Sequence, residues 1–140
     1  MIAVNSLSRM RALTSRKSKG LHGTFQVPGD KSISHRSLIL AGLAIGTTTV
    51  SGLLEGDDVM ATANAMKALG VTITRIKVGV WQIVGVGLHG LISPERPLNL
   101  GNSGTGVRLL MGVVAGQPIT ATFTGDTIGT TFLAASMRPV

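Results

Sequence analysis

The sequence predicts an α/β fold assembled from repeated helix and sheet units, and three observations support this prediction. The composition favours small and aliphatic residues: 44% of the 140 residues are hydrophobic and 19 are glycine, whereas only four are aromatic. Segments of helical periodicity alternate along the chain with segments of strand periodicity. The pattern around Arg36 also returns around Arg108. A chain of this length and composition can bury one core and is not typical of a disordered protein.

The repeat joins a polar turn, an arginine, an apolar helix, a glycine and a threonine-rich strand in that order. The strand of the first copy lies at residues 47–52. The second copy follows at an offset of 70 to 72 residues, with its strand at residues 118–125. Because one copy buries its helix poorly, such units are expected to pack on one another around a shared core. The alternative is chance similarity between two apolar helices.

The first predicted elements are a strand and a helix joined by a turn. Residues 21–27 form the strand, which should end at the turn of residues 28–30, Pro-Gly-Asp. Asp30 or Ser32 can cap the helix that follows, because either side chain can accept hydrogen bonds from the first backbone N–H groups. The apolar residues of this helix are Leu38, Ile39, Leu40, Leu43 and Ala44.

A second helix and a hairpin complete the first unit. Asp57 or Asp58 is expected to cap the helix, and residues 71–76 alternate as a half-buried strand. Gly79 then turns the chain into the hairpin partner, residues 80–84. The unit is therefore predicted to run helix, strand, helix, strand, strand.

The second half begins with a connecting loop at residues 91–98, which contains two prolines. A small polar turn then leads into the helix that carries Arg108, and Asn102 or Ser103 can cap that helix. Glycines in this turn allow the backbone to approach a ligand closely. They are Gly101, Gly104 and Gly106.

Charge and composition exclude several classes of protein. The net charge is +7, but residues 1–20 hold five cations and no acid, which leaves eight cations against six acids in the rest. A nucleic-acid-binding function is therefore not expected. No apolar run reaches the roughly 18 residues that span a bilayer, so no membrane partner is expected either. The absence of cysteine excludes disulfides and fits a cytoplasmic location.

The polar turn at residues 29–37 predicts an anion site at the start of the first helix. Lys31 and His35 are four residues apart, as are Ser32 and Arg36, so each pair is expected to lie close on the helix surface. The first turn also offers unpaired N–H groups and the positive end of the helix dipole. The alternative is a capped amphipathic helix with solvated charges. The second glycine-rich turn weakens that alternative, because two such helix starts can face one anionic substrate.

Three sequence blocks carry a resemblance to a known family. They are Val27-Pro28-Gly29-Asp30-Lys31-Ser32-Ile33-Ser34-His35-Arg36, Leu53-Leu54-Glu55-Gly56-Asp57-Asp58-Val59 and Leu100-Gly101-Asn102-Ser103-Gly104-Thr105. In this order they resemble the N-terminal part of the 5-enolpyruvylshikimate-3-phosphate synthase (EPSP synthase) family. The resemblance covers about the first third of the family's length. It implies an enolpyruvyl transferase-like fold of repeated βαβαββ units, with one complete unit and part of a second.

Composition and the resemblance together predict a domain organisation. Residues 1–20 are basic, contain serine and lack acids, which indicates a basic flexible leader, either an extension or a plastid transit peptide. Residues 21–30 would be the strand and hinge crossing of the family's first domain. Residues 31–140 would form an incomplete second domain, with one unit at residues 31–90 and a partial unit at residues 91–140.

The activity implied by the resemblance is that of a 3-phosphoshikimate 1-carboxyvinyltransferase. Such an enzyme transfers the enolpyruvyl group of phosphoenolpyruvate to the 5-hydroxyl of shikimate 3-phosphate and releases phosphate, on the route to chorismate and aromatic amino acids. The resemblance implies no cofactor and no metal. The sister enzyme, which transfers enolpyruvate to UDP-N-acetylglucosamine, has a different opening motif and is a distant alternative.

Particular residues receive roles by the matching motif. Lys31 would contact both substrates, and it is the expected catalytic residue because a desolvated lysine can transfer a proton. Ser32 and Arg36 would hold shikimate 3-phosphate. Asn102 and Gly104 would lie beside phosphoenolpyruvate.

Two further implications concern phosphoenolpyruvate. Arg138 can be matched to the family's phosphoenolpyruvate-binding arginine, although eleven residues separate it from the Gly125-Asp126 pair, where the family has a shorter spacing. At Gly104 an added methyl group would crowd the herbicide glyphosate, so glyphosate is an expected inhibitor.

The later substrate-binding segments of the family have no counterpart in this chain. We therefore expect a complementary C-terminal fragment of the same enzyme as a partner, because an interrupted unit exposes a strand edge and an apolar helix face. The alternative from another class is a non-catalytic anion-binding fragment.

Overall fold

A computed structural model describes residues 13–20, residues 22–125 and the backbone of residues 134–137. The helices are α1 (Lys31–Leu43), α2 (Asp57–Ala68) and α3 (Gly104–Ala115). The strands are β1 (Ile45–Ser51), β2 (Thr72–Lys77), β3 (Val80–Val86), β4 (Leu98–Asn99), β5 (Ala121–Thr124) and β6 (Ala134–Met137). The mixed helix and sheet architecture confirms the predicted α/β class, and α1, β1, α2, β2 and β3 follow the predicted order.

The first sheet contains three strands in the order β1-β3-β2, and both pairings are antiparallel. The predicted hairpin joins β2 to β3, with Ile73 opposite Ile83. Gly79 lies in its turn with a φ of 68°, a left-handed conformation that glycine adopts without strain. The alternating pattern of residues 71–76 and the glycine at position 79 therefore predicted this hairpin correctly.

The second sheet has the order β4-β5-β6 and was only partly predicted. β5 lies within the predicted threonine-rich strand, and it pairs in parallel with β4 and antiparallel with β6. β4 lies at the end of the predicted connecting loop and has only two residues. A strand of two residues is too short to show a periodic pattern in the sequence. It exists because it pairs with β5.

The predicted strand at residues 21–27 is wrong for the part that the structure describes. Residues 22–27 contain no strand, and Phe25 and Val27 are exposed. A strand requires a partner for its backbone groups, and none of the described strands pairs with this segment. The turn that follows does pack closely against the chain. Position 29 requires glycine there, because a Cβ would clash with the backbone carbonyl oxygen of Gly52.

Two of the three helices begin with a side-chain cap. Asp30 is the N-cap of α1, and Ser103 is the N-cap of α3. The N-cap of α2 is Gly56, and Asp57 and Asp58 lie within its first turn. The prediction that one of these aspartates caps α2 is therefore wrong, and they act instead as acidic residues at the positive end of the helix.

All three helices contribute to one core together with both sheets. Its fully buried side chains include Leu38 of α1, Met66 of α2, Leu110 of α3, Ile83 of β3 and Phe123 of β5. This shared core joins the two halves of the chain and thereby fixes the positions of the helix starts.

Candidate active site

The start of α1 is anchored to the loop that follows β1. Asp30 Oδ1 accepts a hydrogen bond from the backbone N–H of Ile33 at 2.7 Å. The hydroxyl of Ser34 donates to the carbonyl of Asp30 at 2.7 Å and accepts from the N–H of Leu54 at 3.0 Å. The turn that precedes α1 is therefore held at a defined place.

Lys31 lies at the first position of α1 and forms an ion pair with α2. Its Nζ is 2.6 Å from Oδ2 of Asp58, and the lysine side chain remains 54% exposed. The ammonium group is thus held over the first turns of two helices while it stays accessible to a ligand. An exposed ion pair of this kind contributes little to the stability of the fold. Its main effect is to hold the Lys31 ammonium group in one position.

Ser32 and Arg36 lie on the same exposed side of α1. The guanidinium of Arg36 donates from Nη1 to the carbonyl of Ser32 at 3.0 Å and also to its hydroxyl. The structure therefore brings the predicted trio of Lys31, Ser32 and Arg36 together within one and a half turns of helix.

His35 does not join this exposed group as the sequence suggested. It is fully buried, and its Nδ1 lies 2.9 Å from the hydroxyl oxygen of Thr62 in α2. Burial lowers the pKa of its imidazole, and the nearby carboxylate of Asp58 opposes that effect. The spacing of four residues placed His35 near Lys31 along the helix, but it did not reveal which face packs against α2.

The first turns of the three helices lie at the same end of the fold. The Lys31–Asp58 and His35–Thr62 contacts both join residues 27 positions apart, which means that α1 and α2 run parallel with their starts aligned. The start of α3 reaches the same place, because a Cβ on Gly106 would lie 2.7 Å from the hydroxyl oxygen of Thr62. The first turns of α1 and α3 therefore lie at one region, an arrangement that attracts anions, whereas Asp57 and Asp58 already occupy the positive end of α2.

The turn before α3 is stabilised by short-range hydrogen bonds. Asn99 Oδ1 accepts from the N–H of Gly101 at 2.9 Å, and Ser103 Oγ accepts from the N–H of Gly106 at 3.2 Å. Asn102 is exposed, and its backbone carbonyl accepts from the N–H of Gly104 at 2.9 Å. The side chain of Asn102 is therefore available to a ligand.

Gly104 begins α3 and has space on its Cβ side. A methyl group there would meet only the guanidinium Nη1 of Arg108, at 3.3 Å. That contact is with the end of a flexible side chain, which can shift. The fold therefore does not itself require glycine at this position.

Glu55 ties the loop before α2 to the hairpin, a role that sequence reasoning missed. Its carboxylate accepts hydrogen bonds from Arg75 at 2.9 and 2.7 Å, from the N–H of Gly79 at 2.8 Å and from Trp81 Nε1 at 2.9 Å. The Arg75 hydrogen bonds, followed by that of Gly79, lower the pKa of Glu55 to about 2. No local pattern could have indicated these partners, which are at least 20 positions away.

The remaining predictions concern Arg138, the leader, metal binding and membrane spans. Arg138 lies outside the described residues, as does most of the leader. Within the described ranges, no group of three histidine, cysteine or acidic side chains is arranged to hold a metal ion. Among the helices that the structure describes, none has the length and apolarity needed to cross a bilayer.

Comparison with known proteins identifies the family. The family model described as EPSP synthase (3-phosphoshikimate 1-carboxyvinyltransferase) matches residues 15–130. This chain belongs to the EPSP synthase family. The predicted resemblance is thereby confirmed.

Curated relatives of the EPSP synthase family agree with this assignment. A 3-phosphoshikimate 1-carboxyvinyltransferase of Rhodopseudomonas palustris strain TIE-1 is 61% identical over 114 residues, which cover 81% of this chain and 26% of the relative. The protein of the same name from Parvibaculum lavamentivorans is 57% identical over 115 residues, or 82% of this chain and 26% of the relative. The chain thus spans about a quarter of the length of these relatives.

Solved structures of EPSP synthases share the fold. The EPSP synthase of Acinetobacter baumannii, solved at 2.37 Å, matches with a TM-score of 0.72 and 50% sequence identity. The match covers 75% of this chain and 24% of that structure. The described arrangement of helices and sheets is therefore an EPSP synthase architecture.

Proposed function

We propose that this chain supplies one wall of the active site of a 3-phosphoshikimate 1-carboxyvinyltransferase. The reaction would transfer the enolpyruvyl group of phosphoenolpyruvate to the 5-hydroxyl of shikimate 3-phosphate, with release of phosphate. The observation that carries the proposal is the convergence of three helix starts beside Lys31, in a chain of the EPSP synthase family.

The electrostatics of this region suit two anionic substrates. Both substrates carry a phosphate group, so their approach to each other requires compensating positive charge. The backbone N–H groups in the first turns of α1 and α3 and the ammonium of Lys31 would supply it, and their fixed positions would stabilise charge that develops during the reaction. Because Asp58 already orients the ammonium group, an arriving phosphate meets a cation that is in place.

The proposed division of roles follows the exposed side chains. Lys31 would contact both substrates and take part in proton transfer, while Ser32 and Arg36 bind shikimate 3-phosphate. The guanidinium of Arg36 donates to the hydroxyl of Ser32, and a bound phosphate would replace that hydroxyl as its partner. Asn102 and Gly104 would adjoin phosphoenolpyruvate.

Arg138 is proposed as a further phosphoenolpyruvate ligand on the basis of the family motif alone. Glyphosate is proposed to compete with phosphoenolpyruvate beside Gly104. In that case Gly104→Ala would weaken glyphosate binding without unfolding the chain, since the fold has space for the methyl group.

A complementary polypeptide is proposed as the partner that completes the active site, and the cytoplasm as the location. The chain spans about a quarter of its relatives, and apolar side chains such as Phe25, Val27 and Leu40 are 81%, 73% and 65% exposed. Contact with the remaining part of the enzyme would bury this surface and supply the opposite wall.

The experiment measures phosphate release from phosphoenolpyruvate and shikimate 3-phosphate. The chain is assayed alone and after mixing with the complementary C-terminal portion of the Rhodopseudomonas palustris relative. We expect release only in the mixture. Lys31→Met should reduce it by about 10³-fold or more, the order expected when a proton-transfer group that also binds charge is lost.

Lys77→Met is the matched control, because Lys77 is an exposed lysine of β2 and should leave the rate unchanged. Near-normal turnover by Lys31→Met would contradict the proposed role. Binding of shikimate 3-phosphate without turnover in the mixture would indicate the non-catalytic anion-binding fragment instead. Release with UDP-N-acetylglucosamine as the acceptor would indicate the sister activity.

A further inference from the structure

A buried polar cluster connects the three helices just behind their first turns. His35 of α1, Thr62 of α2 and Ser103 at the start of α3 are each at most 1% exposed. His35 Nδ1 is 2.9 Å from Thr62 Oγ1. A Cβ on Gly106 would lie 2.7 Å from Thr62 Oγ1 and 2.7 Å from Ser103 Oγ. The hydroxyl of Thr62 is therefore in contact with both neighbouring helices.

The hydrogen bonds of the cluster favour a neutral imidazole. Thr62 Oγ1 donates to the carbonyl of Asp58 at 3.4 Å, so its oxygen accepts from an Nδ1–H of His35. Nε2 then carries the lone pair, and this buried atom has no hydrogen-bond partner in the part of the chain that the structure describes. A proton on Nε2 would create a buried donor without an acceptor there, which is costly.

The charges around His35 come from two helices. Asp58 of α2 favours the protonated ring, whereas Lys31 and Arg36 of α1 disfavour it, and burial, the largest effect, lowers its pKa below 6.5. β1 and β3, which also pack on α1, contain no charged residue, and the charged residue of α3, Arg108, donates to the carbonyl of Gly104.

We propose that neutral His35 is a positioning residue that, through Thr62, holds the first turn of α1 in register with the first turn of α3. The first of these turns carries Lys31 and Ser32, and the second follows Asn102. Correct register would let both helix starts contact one pair of anionic substrates, and this consequence rests on the proposed function. Protonation of His35 would expel the ring from the cluster and separate the two starts.

The first test follows the cluster by NMR in the 140-residue chain without ligand. The amide signal of Gly106 should shift with pH at the midpoint of the His35 ring, below 6.5. This shift should be lost in His35→Asn and in Thr62→Val, which removes the hydroxyl, and retained in Thr62→Ser, which keeps it. His89→Asn is the control, because His89 is exposed and should not alter the shift.

A Gly106 amide that does not respond to His35, or that responds equally in Thr62→Val, would overturn the proposal. Well-dispersed spectra of Thr62→Val establish that the variant is folded, and Thr62→Ser tests the hydroxyl should Thr62→Val unfold. In that event, loss of the Gly106 response in Thr62→Ser would also count against the proposed contact.

The second test measures shikimate 3-phosphate affinity by calorimetric titration at several pH values, with each form of the chain mixed with the complementary C-terminal portion used in the activity assay. Thr62→Val should bind about tenfold more weakly than the unmodified chain at neutral pH, the effect expected for loss of one buried hydrogen bond. The unmodified chain should approach the variant as the pH falls through the His35 midpoint. Titration of the ligand's own phosphate is common to both proteins and cancels in the comparison.

The two tests distinguish a failure of the proposed function from a failure of the positioning role of His35. If no protein binds shikimate 3-phosphate at any pH, the proposed function fails, and the NMR result alone decides the role of His35. If binding occurs but is equal in Thr62→Val and the unmodified chain, the positioning role is wrong even though the proposed function stands.

Discussion

At the scale of the residue, the three candidate site residues and the contacts that support them differ in how far the sequence reveals them. Lys31, Ser32 and Arg36 belong to one helix, so their spacing alone placed them together. Asp58 and Thr62 reach this site from another helix, 27 positions away in both contacts. Their placement depends on the packing of α1 against α2, which no short-range pattern encodes.

Gly106 is the residue whose small size the helix junction requires most directly. A Cβ there would lie 2.7 Å from two buried hydroxyl oxygens, so Gly106→Ala should lower the free energy of unfolding by about 1–3 kcal/mol through overpacking. Gly112→Ala is the matched control in the same helix, because nothing lies within 4 Å of its Cβ position. It should raise stability by about 0.5–1 kcal/mol. Urea denaturation measures both, and equal effects would contradict the packing argument.

Glu55 should make stability depend on acid pH. Its folded pKa of about 2 lies below its ordinary value of 4.5, so the folded state binds fewer protons between these values. The stabilisation is therefore present above pH 4.5 and is lost as the pH falls towards 2. Glu55→Gln should be less stable than the unmodified chain at neutral pH, and the difference should shrink over this interval. Denaturation at several pH values measures it, and a difference that stays constant from pH 5 to pH 2 would contradict the role of Glu55.

At the scale of the element, the local sequence predicted turns and the start of α1 better than it predicted which strands pair with each other. The Pro-Gly-Asp turn, the α1 cap and the β2–β3 hairpin each depend on neighbours in sequence. β4 depends on β5, and residues 22–27 form no strand without a pairing partner. The predicted cap of α2 failed because Gly56, not an aspartate, occupies the N-cap position.

The α1 cap provides a quantitative test of this distinction. Asp30→Ala removes the acceptor for the N–H of Ile33 and should lower the free energy of unfolding by about 1 kcal/mol. Asp57→Ala removes an acidic residue from the first turn of α2 but no cap hydrogen bond, so its cost should be smaller, about 0.3–1 kcal/mol at low salt. Added salt should reduce the second effect more than the first. A salt response of equal size in both variants would show that Asp30 acts only through its charge.

At the scale of the whole molecule, the sequence resembled one family, which the comparison confirmed, and the structure added the alignment of three helix starts. This alignment arises from one core shared by both sheets. The repeat between the two halves remains a prediction. A helix followed by a strand occurs in each half, but β1 pairs antiparallel with β3, whereas β5 pairs in parallel with β4.

The exposed segment at residues 22–27 yields a prediction about the complementary portion that is proposed as a partner. Its pattern favours a strand, and a partner strand from the complementary portion would satisfy its backbone groups. Hydrogen exchange should therefore slow at residues 24–27 when that portion is added, while the buried Ile83 amide of β3 stays unchanged. Phe25→Asp should weaken the association, whereas Ile45→Asp, at a residue 94% exposed in β1, should not. Unchanged exchange at residues 24–27 in a mixture that releases phosphate would show that this segment completes no sheet.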